Sequence, residues 1–429
     1  MYRDRRKNLQ QIKICFIVLL ILSSLLSGFV SNMLSSYIPS AGTLLTDIFC
    51  FMVVIFYGLE KGVQGKIGKK EIVVLGFAIL LGAMIILKSL TDNNIVIERI
   101  LGVRNFFLYL LSGITLISQK KWYSHLTIEY IYRISIFLCA FAISQYLFRN
   151  IFPKNLLSLP QDADAFFFTG TDIFRVNALV GNTIIFTGLA IWTFGMSVSR
   201  FIYRKSIIEF ISLTLSSLAV FLTYSRAAWA FMIFQSLFIY FMVNRKTLNG
   251  VVRSLFVVLS MTFFISFYYI NNSDSFVFKR LLSTESTTAG STQVHGKQLR
   301  DAWSIVKDNP IFGVGVGSQG TSAQSHNVII TDGWMPQVAL ELGLPIAVLL
   351  LSFIFLISHF AYKLYKSVTD WSMSSFCISF MSITLYYLST GLINSAFVGK
   401  VTYIVYWMCA GVIASAYIES SHRGDVYDS

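Results

Sequence analysis

An all-α polytopic membrane protein with about twelve transmembrane helices is the fold class that this 429-residue sequence predicts. Three observations carry the prediction. Hydrophobic residues make up 55% of the chain and charged residues only 13%, where a soluble domain carries about 25% charged. The mean hydropathy is +0.66. The apolar residues gather in windows of about 20, the length at which a helix crosses a bilayer, and the basic residues collect in alternate connections between those windows.

The windows lie near 14–36, 42–59, 72–90, 95–117, 127–148, 177–198, 207–224, 227–243, 254–270, 334–358, 373–395 and 401–418. Their even count predicts both termini on one side. The N-terminus, MYRDRRKNLQQIKI, resembles a secretory leader. The apolar run that follows reaches Met33 without a small-residue cleavage site, so it reads as an uncleaved first span. With the N-terminus in the cytoplasm, the inner segments 1–13, 60–71, 118–126, 199–206, 244–253, 359–372 and the tail hold 20 of the 34 lysines and arginines. The reverse orientation would violate the positive-inside rule at nearly every loop. The net charge of +13 is thus an orientation signal rather than a nucleic-acid footprint.

The expected organisation is one transmembrane bundle over 1–429, with long outer loops at 149–176 and 271–333. Long loops in a compact protein carry function or are disordered. Within the second loop, 297–308 places Leu299, Ala302, Trp303 and Val306 on one helical face, and Pro310 ends it. That pattern predicts a short helix lying in the membrane interface. The five cysteines all fall in apolar runs without paired spacing and read as small core residues.

In this topology Arg175, Arg226 and His326 gather at the outer face. Arg226 stands at a tight corner, Leu222-Thr-Tyr224-Ser225-Arg226-Ala-Ala-Trp229. A guanidinium held at the apolar boundary needs a partner. It either binds phosphate oxygens as a fork or pairs with a carboxylate or snorkels. His326 can take a proton from a hydroxyl near neutral pH, although a lone loop histidine is more often simply solvated. Arg104 lies deeper in the fourth window, beside Glu98 and Arg99. It either braces the bundle through backbone carbonyls, the favoured reading, or lines a groove for a lipid phosphate. Arg104 and Arg133 are the two plausible buried charges of a transporter.

Three patterns are decoys. Gly315-Val-Gly317-Ser-Gln-Gly320 matches GxGxxG but lacks a βαβ unit, so the glycines read as tight turns near the bilayer. Asp162-Ala-Asp164 matches a DxD metal motif too short to carry a metal site. Asn271-Asn-Ser273 is a glycosylation sequon by pattern only.

Taken together, Arg300-x-x-Trp303, Asn309-Pro310-Ile-Phe-Gly313-Val-Gly315-Val-Gly317, His326-Asn327, Gln337 and Glu341-Leu-Gly343 resemble the signature loop of the O-antigen ligase and O-antigen (capsular polysaccharide) polymerase superfamily. Ser225-Arg226-Ala-Ala-Trp229 resembles a second motif of that family, and Arg175 with Gly181-Asn182 a third, although Val180-Gly181 replaces its usual proline. The resemblance implies a membrane-embedded, GT-C-like glycosyltransferase bundle without cofactor or metal, in the bacterial cytoplasmic membrane. Its donor would be a glycan on polyprenyl diphosphate, and its acceptor a glycan or a lipid-linked unit. A chain-length regulator would be a further partner, and nucleic acid would not be one. By the same resemblance Arg175 and Arg226 would clamp the diphosphate and His326 would be the general base. Tyr224, Asn327, Arg300, Trp303, Trp334 and Arg104 would be candidates for the substrate cleft, with interfacial anchoring the alternative for the two tryptophans. The expected reaction is polymerisation of lipid-linked repeat units. The rivals are ligation to a lipid A core and lipid-linked polysaccharide transport.

Overall fold

The computed structural model describes residues 2–34, 41–64, 68–118, 121–151, 174–244, 286–319 and 333–424, and no β-strand forms among them. The helices are α1 Tyr2–Leu25, α2 Ser27–Met33, α3 Ala41–Gln64, α4 Lys69–Thr91, α5 Val96–Val103, α6 Tyr109–Ile114, α7 Lys121–Leu147, α8 Thr183–Arg204, α9 Ile207–Leu222, α10 Arg226–Asn244, α11 Ser286–Asp308, α12 Trp334–Leu342, α13 Leu344–Ser367, α14 Trp371–Thr390 and α15 Lys400–Gly424. A π-helical turn, Arg104–Leu108, joins α5 to α6.

Among the described residues, eight helical stretches are long and apolar enough to cross a membrane. A ninth arises if α1 and α2, bent by 70° at Leu26, count as one span. The chain is therefore an all-α polytopic membrane protein. The remaining three of the twelve expected windows have separate explanations. Helix α9 is only 16 residues long. Helix α14 has the length, with 20 residues, but its serines and threonines leave it short of the apolarity. The window 254–270 lies outside the described residues.

The window expected at 334–358 is two helices. Gly343 breaks it with a left-handed φ of +82°, and a Cβ there would stand 2.1 Å from the Ile311 carbonyl oxygen. The candidate span begins only at Leu344, so α12 stands outside it.

Burial sorts the helices. In α8 and α15 83% of the span window is buried, against 22% in α3. Between helices in a bilayer there is little hydrophobic gain, so close packing and polar contacts hold them. Gly113 and Gly411 bring α6 and α15 together, since a Cβ on Gly411 would lie 2.3 Å from the Gly113 carbonyl oxygen. Gln235 of α10 donates to Ser382 of α14 at 2.7 Å, and Tyr406 of α15 shares a 3.1 Å hydrogen bond with Thr384 of α14. The cysteines are free, four buried and Cys15 exposed.

The alternation of the helices brings several connections to one end of the bundle. Phe29 N donates to Leu179 O, Val176 N to Leu222 O, and Trp334 N to Asn394 O. Lys400 meets Thr43 at the same end. At the opposite end Lys13 pairs with Glu60 at 3.0 Å and donates to Ser118 at 2.8 Å. Arg133, a candidate buried charge from sequence, is 77% exposed beside Glu129. Its side chain is exposed rather than buried in the helix core.

Candidate active site

The site is built on the segment 174–182, which runs into α8. Phe174, Val176 and Asn177 are buried. Gln145 of α7 holds the segment with one amide nitrogen, donating to Asn177 Oδ1 at 3.2 Å and to the Ala178 carbonyl at 2.9 Å. Asn182 then caps α8, its Oδ1 accepting from the N–H groups of Ile184 and Ile185 at 2.8 and 3.1 Å, as a short polar N-cap should. The turn without the customary proline is thus formed by an Asn cap. Gly28 of α2 backs it: a Cβ there would lie 2.5 Å from Gly181 Cα.

Arg175 reaches from this segment to the α9–α10 corner. Its Nε donates to the Thr223 carbonyl at 3.0 Å. Burial lowers its pKa to about 10, so the guanidinium keeps its charge at neutral pH. The corner itself is locked. Tyr224 takes a left-handed φ of +53°, its hydroxyl lies 3.3 Å from that of Tyr146, and the Trp229 indole donates to the Phe221 carbonyl at 3.1 Å. The Trp229 ring stacks on Phe221 at 5.0 Å. Arg226 is the first residue of α10 and is half-buried. The structure therefore brings Arg175, Tyr224 and Arg226 together at one corner.

The glycine run is held from two sides. Val316 N donates to Asp92 Oδ2 at 2.7 Å, and Gly317 N to Glu341 Oε2 at 2.8 Å. Gln337 Nε2 donates to the other oxygen of Glu341 at 2.9 Å. Burial raises the Glu341 pKa to about 8 against the pull of these hydrogen bonds. Gly317 has φ +74°, and a Cβ on it would lie 2.0 Å from the Glu98 carbonyl oxygen. The run is a tight loop wedged against α5 and α12. Helix α11 extends over Ser286–Asp308, well beyond the expected 297–308. Its expected single face divides. Ala302 and Val306 are buried with Ala339 and Leu340 of α12, while Trp303 is 36% exposed and shares an outer groove with Arg300 and Leu299.

Trp334 stands at the same end as Arg175 but in the core. It is 1% exposed, its indole donates to the Tyr387 carbonyl at 2.7 Å, and its ring meets Phe397 at 4.7 Å. Stacking on a sugar and anchoring at the interface both give way to a packing role, because the ring has no open face. Arg104 pairs with the Asp47 carboxylate at 3.3 Å, not with the backbone carbonyls expected of a brace. Tyr109 donates to the other Asp47 oxygen at 2.7 Å. Asp47 was legible as an acid inside an apolar window, but its partner was not. His326 and Asn327, like Asp162 and Asp164, lie outside the described residues. The segment that carries His326 leaves the described structure at Gln319 and returns at Gly333. Trp334 and Met335 are pinned there by the Asn394 and Gly391 carbonyls.

This arrangement, two part-buried arginines at a corner between apolar helices, belongs to an integral membrane protein. A family model described as O-antigen ligase matches residues 211–351 and supports a place for the chain in the O-antigen ligase and polymerase superfamily. That family implies a glycosyl-transferring membrane enzyme with lipid-linked glycan substrates. Arg226, His326 and Glu341 fall inside the matched region, and Arg175 and Arg104 outside it. No curated protein matches the chain.

Proposed function

We propose that the protein is a polymerase that transfers a glycan from polyprenyl diphosphate onto a new lipid-linked repeat unit at the outer face of the bacterial cytoplasmic membrane. The observation that carries this reading is the 3.0 Å hydrogen bond from Arg175 to the turn that presents Arg226. It ties two cations to one corner. Two guanidinium forks suit the oxygens of a diphosphate. Arg226 also heads α10, where the free N–H groups of the first turn favour an anion. A cation there opposes the helix dipole at a cost of about 0.3–1 kcal/mol, which a bound phosphate would offset.

In the reaction, His326 takes the proton of the acceptor hydroxyl as its oxygen attacks the anomeric carbon. The bond from that carbon to the diphosphate oxygen breaks, and polyprenyl diphosphate leaves with the electron pair. The configuration inverts. Arg175 and Arg226 stabilise the charge that develops on the leaving oxygen, without a requirement for metal. Glu341, Gln337 and Asp92 act at a distance, by holding the start of the segment that carries His326.

A ligase reading draws support from the description of the matched family model and differs in its acceptor, a lipid A core. Purified protein incubated with a lipid-linked repeat unit and no divalent metal tests both. A ladder of lengths is expected. Transfer only on addition of lipid A core would replace the polymerase by the ligase. Movement of the substrate across vesicles without turnover would overturn both readings.

A further inference from the structure

We infer that a second anion site, built for a phosphate-bearing group, occupies a 390 Å³ cavity at the opposite end of the bundle from Arg175. It opens between α7, α8 and the first residue of α14. Glu129 and Arg133 of α7, Arg200 and Arg204 of α8, and Trp371 line it. Arg200 stands 17 residues along α8 from Thr183 (200 − 183), about 25 Å at 1.5 Å per residue.

The charge balance of the cavity carries the inference. Three guanidiniums face one carboxylate. Glu129 receives Arg200 through both oxygens, NH2 to Oε1 and NH1 to Oε2 at 3.3 Å, and Arg133 Nε lies 3.7 Å from the same Oε2. One acid thus serves two cations. Two other acids, on α9 and at the start of α14, are committed elsewhere. Glu209 is buried and accepts from the Tyr132 hydroxyl at 3.1 Å. Asp370 caps α14, accepting from Ser372 N and Met373 N. No carboxylate among the described residues pairs with Arg204.

The guanidiniums are also held in place. Arg204 lies over the Trp371 ring at 4.8 Å and Arg200 over the Tyr132 ring at 4.3 Å. An aromatic face fixes a guanidinium plane and leaves its edge for hydrogen bonding. Arg200 is 4% exposed, and its Nε is buried without a hydrogen-bond partner among the described residues. The positive-inside rule asks only that basic residues lie on the cytoplasmic side, not that they share a pocket. Here they converge from two helices on one cavity with aromatic walls.

Arg133 connects the cavity to the bilayer. It is 77% exposed and stands nine residues along α7 from Ser124 (133 − 124), about 14 Å of helix, so its long side chain can extend along the helix surface toward the headgroups. A charge on a lipid-facing helix surface is costly unless it reaches an anion or the headgroup layer, and Arg133 shares its one carboxylate, Glu129, with Arg200. A lipid phosphate can approach from the side of Arg133, and a soluble phosphate ester from the side of Arg204. The recognised chemistry is the same.

The test uses the full chain in detergent with phosphatidylglycerol, phosphatidylcholine and glycerol 3-phosphate as probes, read by native mass spectrometry. Phosphatidylglycerol is expected to bind the wild type in preference to phosphatidylcholine. Binding to the Arg133→Gln/Arg204→Gln variant should be weaker by about tenfold or more. Displacement of the bound lipid by millimolar glycerol 3-phosphate would assign the site to soluble esters and keep its chemistry. Equal phosphatidylglycerol binding by wild type and variant, or equal binding of both lipids to the wild type, overturns the proposal. Both arginines are exposed. If the double variant is not monodisperse, Arg133→Gln alone carries the test, with a several-fold loss expected and no loss overturning the proposal.

Discussion

Arg175 donates from Nε to the carbonyl of Thr223 at 3.0 Å, and that carbonyl precedes Arg226 by three residues (226 − 223). The hydrogen bond fixes one edge of the Arg175 guanidinium against the backbone of the α9–α10 corner. The position of one arginine is thereby set by the backbone that presents the other.

Arg226→Lys is expected to lower glycosyl transfer by about 100-fold, the loss typical of one donor at a developing oxyanion. An ammonium keeps the charge but not the fork. Turnover of a lipid-linked repeat unit by the purified variant measures it. Arg175→Lys should lose as much, since lysine has no counterpart of Nε for the Thr223 carbonyl. Wild-type turnover by either variant would remove the diphosphate clamp from the mechanism.

His326→Ala should cost about 10²–10⁴-fold in turnover, the range for a general base, and leave the folded protein intact. Gel filtration and thermal unfolding check the second half of that statement. Glycans of normal length in cells that carry only this variant would remove His326 from the reaction.

Glu341 gives a pH signature. Its carboxyl has a pKa of about 8 in the folded chain against 4.5 for the ordinary group, so the folded protein holds one more proton between those values. Stability from this group is complete below about 4.5 and is lost as the pH rises toward about 8, at no more than about 1.4 kcal/mol per pH unit. Glu341→Gln copies the neutral form and can still accept from Gly317 N–H. Thermal unfolding across pH 5–9 should decline less steeply in the variant, and an unchanged slope would assign the decline to another group.

Gly317→Ala places a Cβ 2.0 Å from the Glu98 carbonyl oxygen at φ +74°. A left-handed residue costs about 1–2 kcal/mol and overpacking about 1–3 kcal/mol more, so a loss of at least about 2 kcal/mol is expected. Gly58→Ala, in α3 with nothing within 4 Å of the added Cβ, should be neutral or stabilising by up to about 1 kcal/mol. Parallel unfolding of the two variants makes the comparison.

The helical bundle was legible because lipid-facing helices must be predominantly apolar, and the spans of α3, α4 and α13 are. Helix α14 was read as a span from its window, yet its polarity reflects burial among α8, α10, α13 and α15, which hydropathy alone does not reveal. The break at Gly343 was invisible because the apolar run continues through it, and a left-handed glycine leaves no mark in composition. Arg175 and Arg226 were marked as partners from the topology, but the hydrogen bond that joins their segments runs through a backbone carbonyl, which has no letter in the sequence. Trp334 looked like a sugar platform because an indole beside a polar loop reads alike whether its faces are open or covered. Gln337 and Glu341 stood in a motif without a role, and only the folded chain brings them to the N–H of Gly317.

The contact between Gly28 and Gly181 has a consequence for synthesis. The two residues are 153 positions apart (181 − 28), so at about 5–20 residues per second the ribosome makes them roughly 8–30 seconds apart. During that interval α2 waits without the loop that it later backs. When the loop arrives, no side chain has to find its rotamer, because backbone meets backbone. Replacing the first two helices with an unrelated hairpin would leave a chain that still threads its later spans, yet the loop of Arg175 would arrive to find nothing behind it.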